Sequence, residues 1–156
     1  MTVAMKDLTL DIIPKIGFGE IHFGETSEKV ITWMGQPEEV ENLEDQDDFH
    51  TVILYYWGKG ITVFFEGREK SVVSCIETEN TDSTMFGKRI FEMTEKDIID
   101  LMTDKGYEVA ETEMEITGER RVSYDDAMID FFFVDGDLVA VNWGVLVNEK
   151  GEVEEM

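Results

Sequence analysis

The chain has 156 residues, 36 acidic against 13 basic, for a formal net charge of −23. Such a charge excludes ordinary nucleic-acid and anionic-membrane binding and would steer a basic partner inward. The 42% hydrophobic content and ten Phe exclude global disorder, and the length fits one domain or two small halves sharing a core.

The N-terminal stretch lacks the apolar core of a signal peptide, and no apolar run approaches a membrane span. Cys75 is the one cysteine, so no intrachain disulfide forms. Together these features predict a cytoplasmic protein. Residues 8–13 are short, β-branched and bounded by Pro14, which reads as an edge strand or an extended arm. Ile16 to Phe23 contains Gly17 and Gly19 and must bend.

Thr26 is the predicted N-cap of a first helix. Val30, Ile31, Trp33 and Met34 form its apolar face, and Gly35 with Pro37 ends it. Residues 38–48 carry seven acids without apolar period and read as a solvated loop. Three antiparallel strands follow: 49–57, a turn at Lys59-Gly60, 61–66, another turn, and 71–78.

The pattern then recurs. Thr94 and Asp97 make a weak capping box; Ile98, Ile99, Leu101 and Met102 form an apolar face; Gly106 ends the helix. Strands are predicted at 111–116, 120–124, 128–134 and 138–145, with a hairpin turn at Asp135-Gly136. The tail offers a further strand pair around Lys150-Gly151. Residues 19–83 laid over 87–151 without gaps give eleven identities, including Phe23/Phe91, Thr26/Thr94, Tyr56/Tyr124 and Asn80/Asn148. Periodicity alone explains the apolar matches but not Thr26/Thr94 or Tyr56/Tyr124, so we read a duplication.

The expected fold is α+β: two tandem helix-plus-antiparallel-sheet repeats sharing one sheet layer, with helices on one face. The first repeat with its N-terminal arm spans 1–83 and the second spans 84–156. The strands are too closely connected for parallel pairing, so none is expected.

Side chains alternate along a strand. Ile61, Val63 and Phe65, with Ile129, Phe131 and Phe133, should meet the helices. The opposite face should then carry Tyr55, Trp57, Phe64 and Phe132, beside Thr62 and Asp130. Aromatics on an uncovered sheet face suggest a binding surface for a protein, with closure by the termini or a homodimer partner as the alternative.

No catalytic constellation emerges. Cys75 with His22 or His50 would make a thiol nucleophile, but Cys75 falls inside a strand and aligns with Trp143, which favours a packing role. His22 aligns with Ile90 and also reads as packing. His50 near Asp47 and Asp48 lacks the spacing of a calcium loop, so no metal and no cofactor is assigned. The expectation is a non-enzyme.

Ile21 to Pro37 resembles the repeat of the β-lactamase inhibitor protein-like superfamily, which also includes small lipoproteins of the outer-membrane barrel assembly machinery. Their signature is a strand ending in Phe-Gly, then Met-Thr, a short helix with Val, then Gly-x-Pro. Phe23-Gly24, Thr26, Val30, Gly35 and Pro37 match, with Glu25 in place of the Met. Met93-Thr94 and Ile98 match in the second copy, where Glu92 replaces the Gly and the Pro is absent. Residues 94–107 followed by 129–143 also look like an uncharacterised bacterial family of acidic tandem-repeat proteins. The resemblance implies two helix-plus-sheet units whose sheet is a concave protein-binding face, hence an inhibitor-like or immunity-like protein. No target-contact residue carries over.

Overall fold

The computed structural model describes residues 9–44, 50–68, 70–109, 111–148 and 150–154. The chain opens with three short strands: β1 (Asp11–Ile13), β2 (Gly17–Phe18) and β3 (Ile21–His22). Helix α1 (Ser27–Met34) follows, then a four-stranded meander of β4 (Glu39–Glu44), β5 (His50–Tyr56), β6 (Ile61–Gly67) and β7 (Val72–Thr78). The second half has β8 (Thr84–Met85), β9 (Lys88–Arg89) and α2 (Glu95–Asp104). It ends in a second meander: β10 (Glu111–Met114), β11 (Arg120–Tyr124), β12 (Ile129–Val134) and β13 (Asp137–Gly144).

The two meanders join edge to edge through β13 and β7 in one antiparallel eight-stranded sheet, ordered β10-β11-β12-β13-β7-β6-β5-β4. The short strands form a separate five-stranded sheet, ordered β3-β2-β1-β8-β9. The architecture is therefore α+β, with far more of the chain in strands than in helices.

The core faces fall where alternation placed them. Ile61, Val63 and Phe65 in β6 and Ile129, Phe131 and Phe133 in β12 are all buried. They share one cluster with Val30 and Met34 of α1 and Ile98 and Met102 of α2. Each helix thus contributes an i, i+4 pair to the sheet, as its apolar stripe requires. Trp33 and Leu101, expected in that core, are only partly buried and pack at its margin. The small sheet covers the same side: Phe18 meets Trp143 edge-on at 5.2 Å, and the Trp143 indole donates to the Gly17 carbonyl at 3.0 Å.

The helix starts differ in detail. Thr94 and Asp97 exchange both capping-box bonds at 3.2 Å. Thr26 holds the extended N-cap conformation, yet its hydroxyl makes no capping bond.

Four expectations fail. The acidic stretch after Pro37 is not all loop, since Glu39–Glu44 is the edge strand β4, paired residue by residue with β5. Its charges suit an edge, where unpaired backbone would otherwise invite another strand. Residues 45–48 of that expected loop lie outside the described residues. Residues 11–13 are the middle strand of the small sheet, not an edge, with Ile12 buried. β1 also pairs in parallel with β8, Asp11 facing Thr84 and Ile12 facing Met85. The whole first meander acts as the crossover that parallel pairing needs. Finally, His22 is exposed on β3 rather than packed.

Candidate functional site

Helices and small sheet cover one face of the eight-stranded sheet, so attention turns to the other. Its side chains follow from the ladder. Tyr55 faces Thr62, Thr62 faces Glu77, Glu77 faces Asn142, and Asn142 faces Asp130. The row continues outward to Glu39 on one side and to Ser123 and Glu111 on the other. One polar row, half of it acidic, therefore crosses every strand of the sheet.

The expected binding residues are placed around this row, but not as one patch. Tyr55 and Asp130 lie on it, in opposite halves. Phe64 and Phe132 are both half-buried on this face, two residues beyond Thr62 and Asp130. Because β6 and β12 run antiparallel to each other, those two steps go in opposite directions. Strand spacing and rise then put Phe64 and Phe132 about 20 Å apart. Phe64 packs beside Ile53 and Cys75; Phe132 sits between Ala140 and Arg121. Ile53 and Ala140 are buried yet lie outside the main core cluster, as expected for residues on the opposite face.

Trp57 departs from the expectation. It belongs to a short 3-10 turn, Trp57–Lys59, and not to the strand. It is 58% exposed and stacks on Tyr55 at 4.5 Å and 15°. Tyr55 in turn donates its hydroxyl to Glu41 Oε1 at 2.8 Å.

Cys75 requires a larger correction. It does not pack in the core; Ile76 and Thr78 do, and alternation turns Cys75 and Glu77 to the polar face. Alignment with Trp143 misled because the two hairpins differ in length. Thr78 pairs with Ile61 as Trp143 pairs with Ile129, an offset of 65 rather than 68. The turn between β6 and β7 is two residues longer than Asp135-Gly136, and β6, with seven residues against six in β12, supplies the third.

At the β7–β13 seam this face holds a cavity of about 470 Å³. Cys75 and Asn142 line it together with Glu66, Asp125 and Asp130, and Met128, Val145 and Leu146 supply apolar surface. Gly144 permits the seam, for a Cβ there would lie 2.4 Å from the Ser74 carbonyl oxygen. The Cys75 thiol donates to Asn142 Oδ1 at 3.2 Å, and Asn142 Nδ2 donates to Glu77 Oε1 at 3.4 Å. Burial, reinforced by Glu77 and Glu66, pushes the thiol up to about 12. Burial likewise raises the Glu77 carboxyl above its ordinary range. Sequence reasoning found Asp130 but missed Cys75, Asn142, Glu66 and Glu77. Alternation within 71–78, read outward from Ile76, was the signal that would have found Cys75 and Glu77.

No family model matches the sequence, and no curated protein matches it. Among solved structures the chain is similar to a DUF4309 family protein (YjgB) from Bacillus subtilis subsp. subtilis str. 168. The TM-score is 0.43 at 20% identity, covering 76% of this chain and 77% of that one.

The positive charge on this face is scarce. Arg121 is shared among Glu111, Glu113, Glu115 and Asp130, with its closest contact to Glu113. His50 lies at the start of β5, opposite Gly67. Among the described residues no group of three or more His, Cys, Asp or Glu converges as a metal site, and no helix is long and apolar enough to cross a membrane.

Proposed function

We propose that this chain is a non-catalytic protein-binding module, inhibitor-like or immunity-like, whose polar sheet face captures a basic protein. The carrying observation is that row of side chains: Glu77 and Asp130 at its centre, half-buried Phe64 and Phe132 on either side. Such a surface offers aromatic anchors within a negative field, which speeds encounter and selects partner charge. A high Cys75 thiol, hydrogen-bonded to an amide and not to an imidazole, supports a non-catalytic reading.

The two halves are read as tandem repeats, 1–83 and 84–156. Each has a helix and then a four-stranded meander, and each meander carries a β-bulge at the same place, Phe64/Phe65 and Phe132/Phe133. The resemblance of Ile21 to Pro37 to the β-lactamase inhibitor protein-like repeat supports the same assignment by analogy of fold.

Affinity capture from the native cell lysate tests the reading. The Trp57→Ala/Phe132→Ala variant, matched in stability, should lose the partners that the parent chain recovers. Equal recovery by both would show that the aromatics are not the site. Light scattering separates the self-associating alternative: a tight dimer that dissociates on Phe64→Ala or Phe132→Ala would replace the heterologous partner with a second copy.

A further inference from the structure

We propose that the cavity at the β7–β13 seam receives one extended cationic side chain, lysine or arginine, projected by the partner protein. The inference rests on the protein-binding reading of this face and gives it a central anchor. Two features of the cavity fit this occupant. Met128, Val145 and Leu146 line it with apolar surface suited to the methylenes of a long side chain. Residues bearing carboxylates from three separate elements line it as well: Glu66 on β6, Asp125 in the β11–β12 turn, and Asp130 on β12.

Charge decides the sign. None of the residues lining the cavity is basic. Arg121, which lies 3.9 Å from Asp130, already serves three glutamates of the β10 side. Glu66 takes a hydrogen bond from the hydroxyl of Ser74, which also lines the cavity. Asn142 spends Oδ1 on the Cys75 thiol and Nδ2 on Glu77, so its amide is already partnered at both ends. Among the described residues no ion pair involves Glu66 or Asp125, so a cation entering here displaces none of those. An anion would meet the same groups with like charge.

The test uses the whole chain and a small probe. Isotope-labelled protein is titrated with the peptide acetyl-Gly-Lys-Gly-amide at low salt, followed by amide NMR shifts. Shifts at Cys75, Asn142 and Gly144 should saturate, and the same peptide with an Nε-acetylated lysine should leave them in place. The Glu66→Gln/Asp130→Asn variant should bind the lysine peptide at least tenfold more weakly, with its dispersed spectrum reporting that it remains folded. Identical shifts from the acetylated peptide, or equal binding by the variant, would overturn the proposal. With a captured partner in hand, the two readings separate. If the partner ignores Glu66→Gln/Asp130→Asn but is lost on Trp57→Ala/Phe132→Ala, the cavity is not the anchor and the face reading stands. If the lysine probe binds the cavity while the aromatic variant keeps every partner, the face reading falls and the cationic cavity stands.

Discussion

The Tyr56 hydroxyl donates to the Gly35 carbonyl at 2.8 Å, tying the end of α1 to β5, the strand beside the edge of the large sheet. Tyr124 occupies the corresponding place in the second half, at the end of β11, and its hydroxyl is buried with no hydrogen-bond partner among the described residues. Burial pushes both phenols up to about 12. The pair therefore makes opposite predictions. Tyr56→Phe removes one partner of a formed bond and should cost about 1 kcal/mol. Tyr124→Phe removes an unpaired buried hydroxyl and should be neutral or stabilising. Urea denaturation with equal slopes for both variants is the check. Equal losses would mean that Tyr124 has a partner after all.

Core positions separate in the same way. Met102 is fully buried between α2 and the sheet, whereas Trp33 lies at the core margin. Met102→Ala should cost roughly 2–5 kcal/mol, through lost burial and the cavity left behind. Trp33→Ala should cost less, although Trp is the larger side chain. Thermal or urea unfolding of the two variants decides it; a larger loss at Trp33 would show that its ring anchors the core from the margin.

Both helices, and the strands from β5 onward in the large sheet, were legible in the sequence because their apolar spacing is strong and their turns are marked. Val30/Met34 and Ile98/Met102 announce buried helix faces, and Asp135-Gly136 announces a hairpin. β4 was illegible because an exposed edge strand needs no apolar alternation. The pairing of Ile12 with Met85 was illegible because it joins residues far apart in the chain, and strand signals are local. Phe64, Phe132 and Asp130 were assigned the right face by alternation, but their separation depends on strand direction across four strands. Cys75 and Asn142 meet only because β7 and β13 are neighbours, a fact that no stretch of either strand contains.

Glu77 sits in the centre of the acidic row, and burial raises its carboxyl above the ordinary value. The sign follows by linkage. A group whose folded value is raised contributes stability while protonated and loses it as pH climbs through the folded value. Above that folded value the ionised Glu77 is therefore a burden. Glu77→Gln keeps an acceptor for Asn142 Nδ2 and should raise the Tm at pH 7, with little change near pH 3. Added salt should narrow the gap by screening neighbouring acids such as Glu79. A Tm that falls at pH 7 would mean that the ionised carboxylate is held by more than Asn142.

Cys75 tests the reading of the site as non-catalytic. Its thiol is raised to about 12, first by burial and then by Glu77 and Glu66. An ordinary thiol has a value near 8.5, so at pH 8 the native thiolate fraction should be smaller by roughly a thousandfold. Iodoacetamide should accordingly alkylate native Cys75 far more slowly than the urea-unfolded chain. Restricted access would also slow the reaction, but pH separates the two causes. With a raised value, the logarithm of the rate climbs with unit slope through pH 10 without levelling; with an ordinary but hidden thiol it levels near pH 9. The same shift makes the fold less stable as pH rises from about 9 toward 12, since deprotonation is easier in the unfolded chain. Cys75→Ala should flatten that part of the alkaline loss. A rate that levels near pH 8, or a hydrolase activity that disappears in Cys75→Ser with the fold intact, would return Cys75 to the list of nucleophiles.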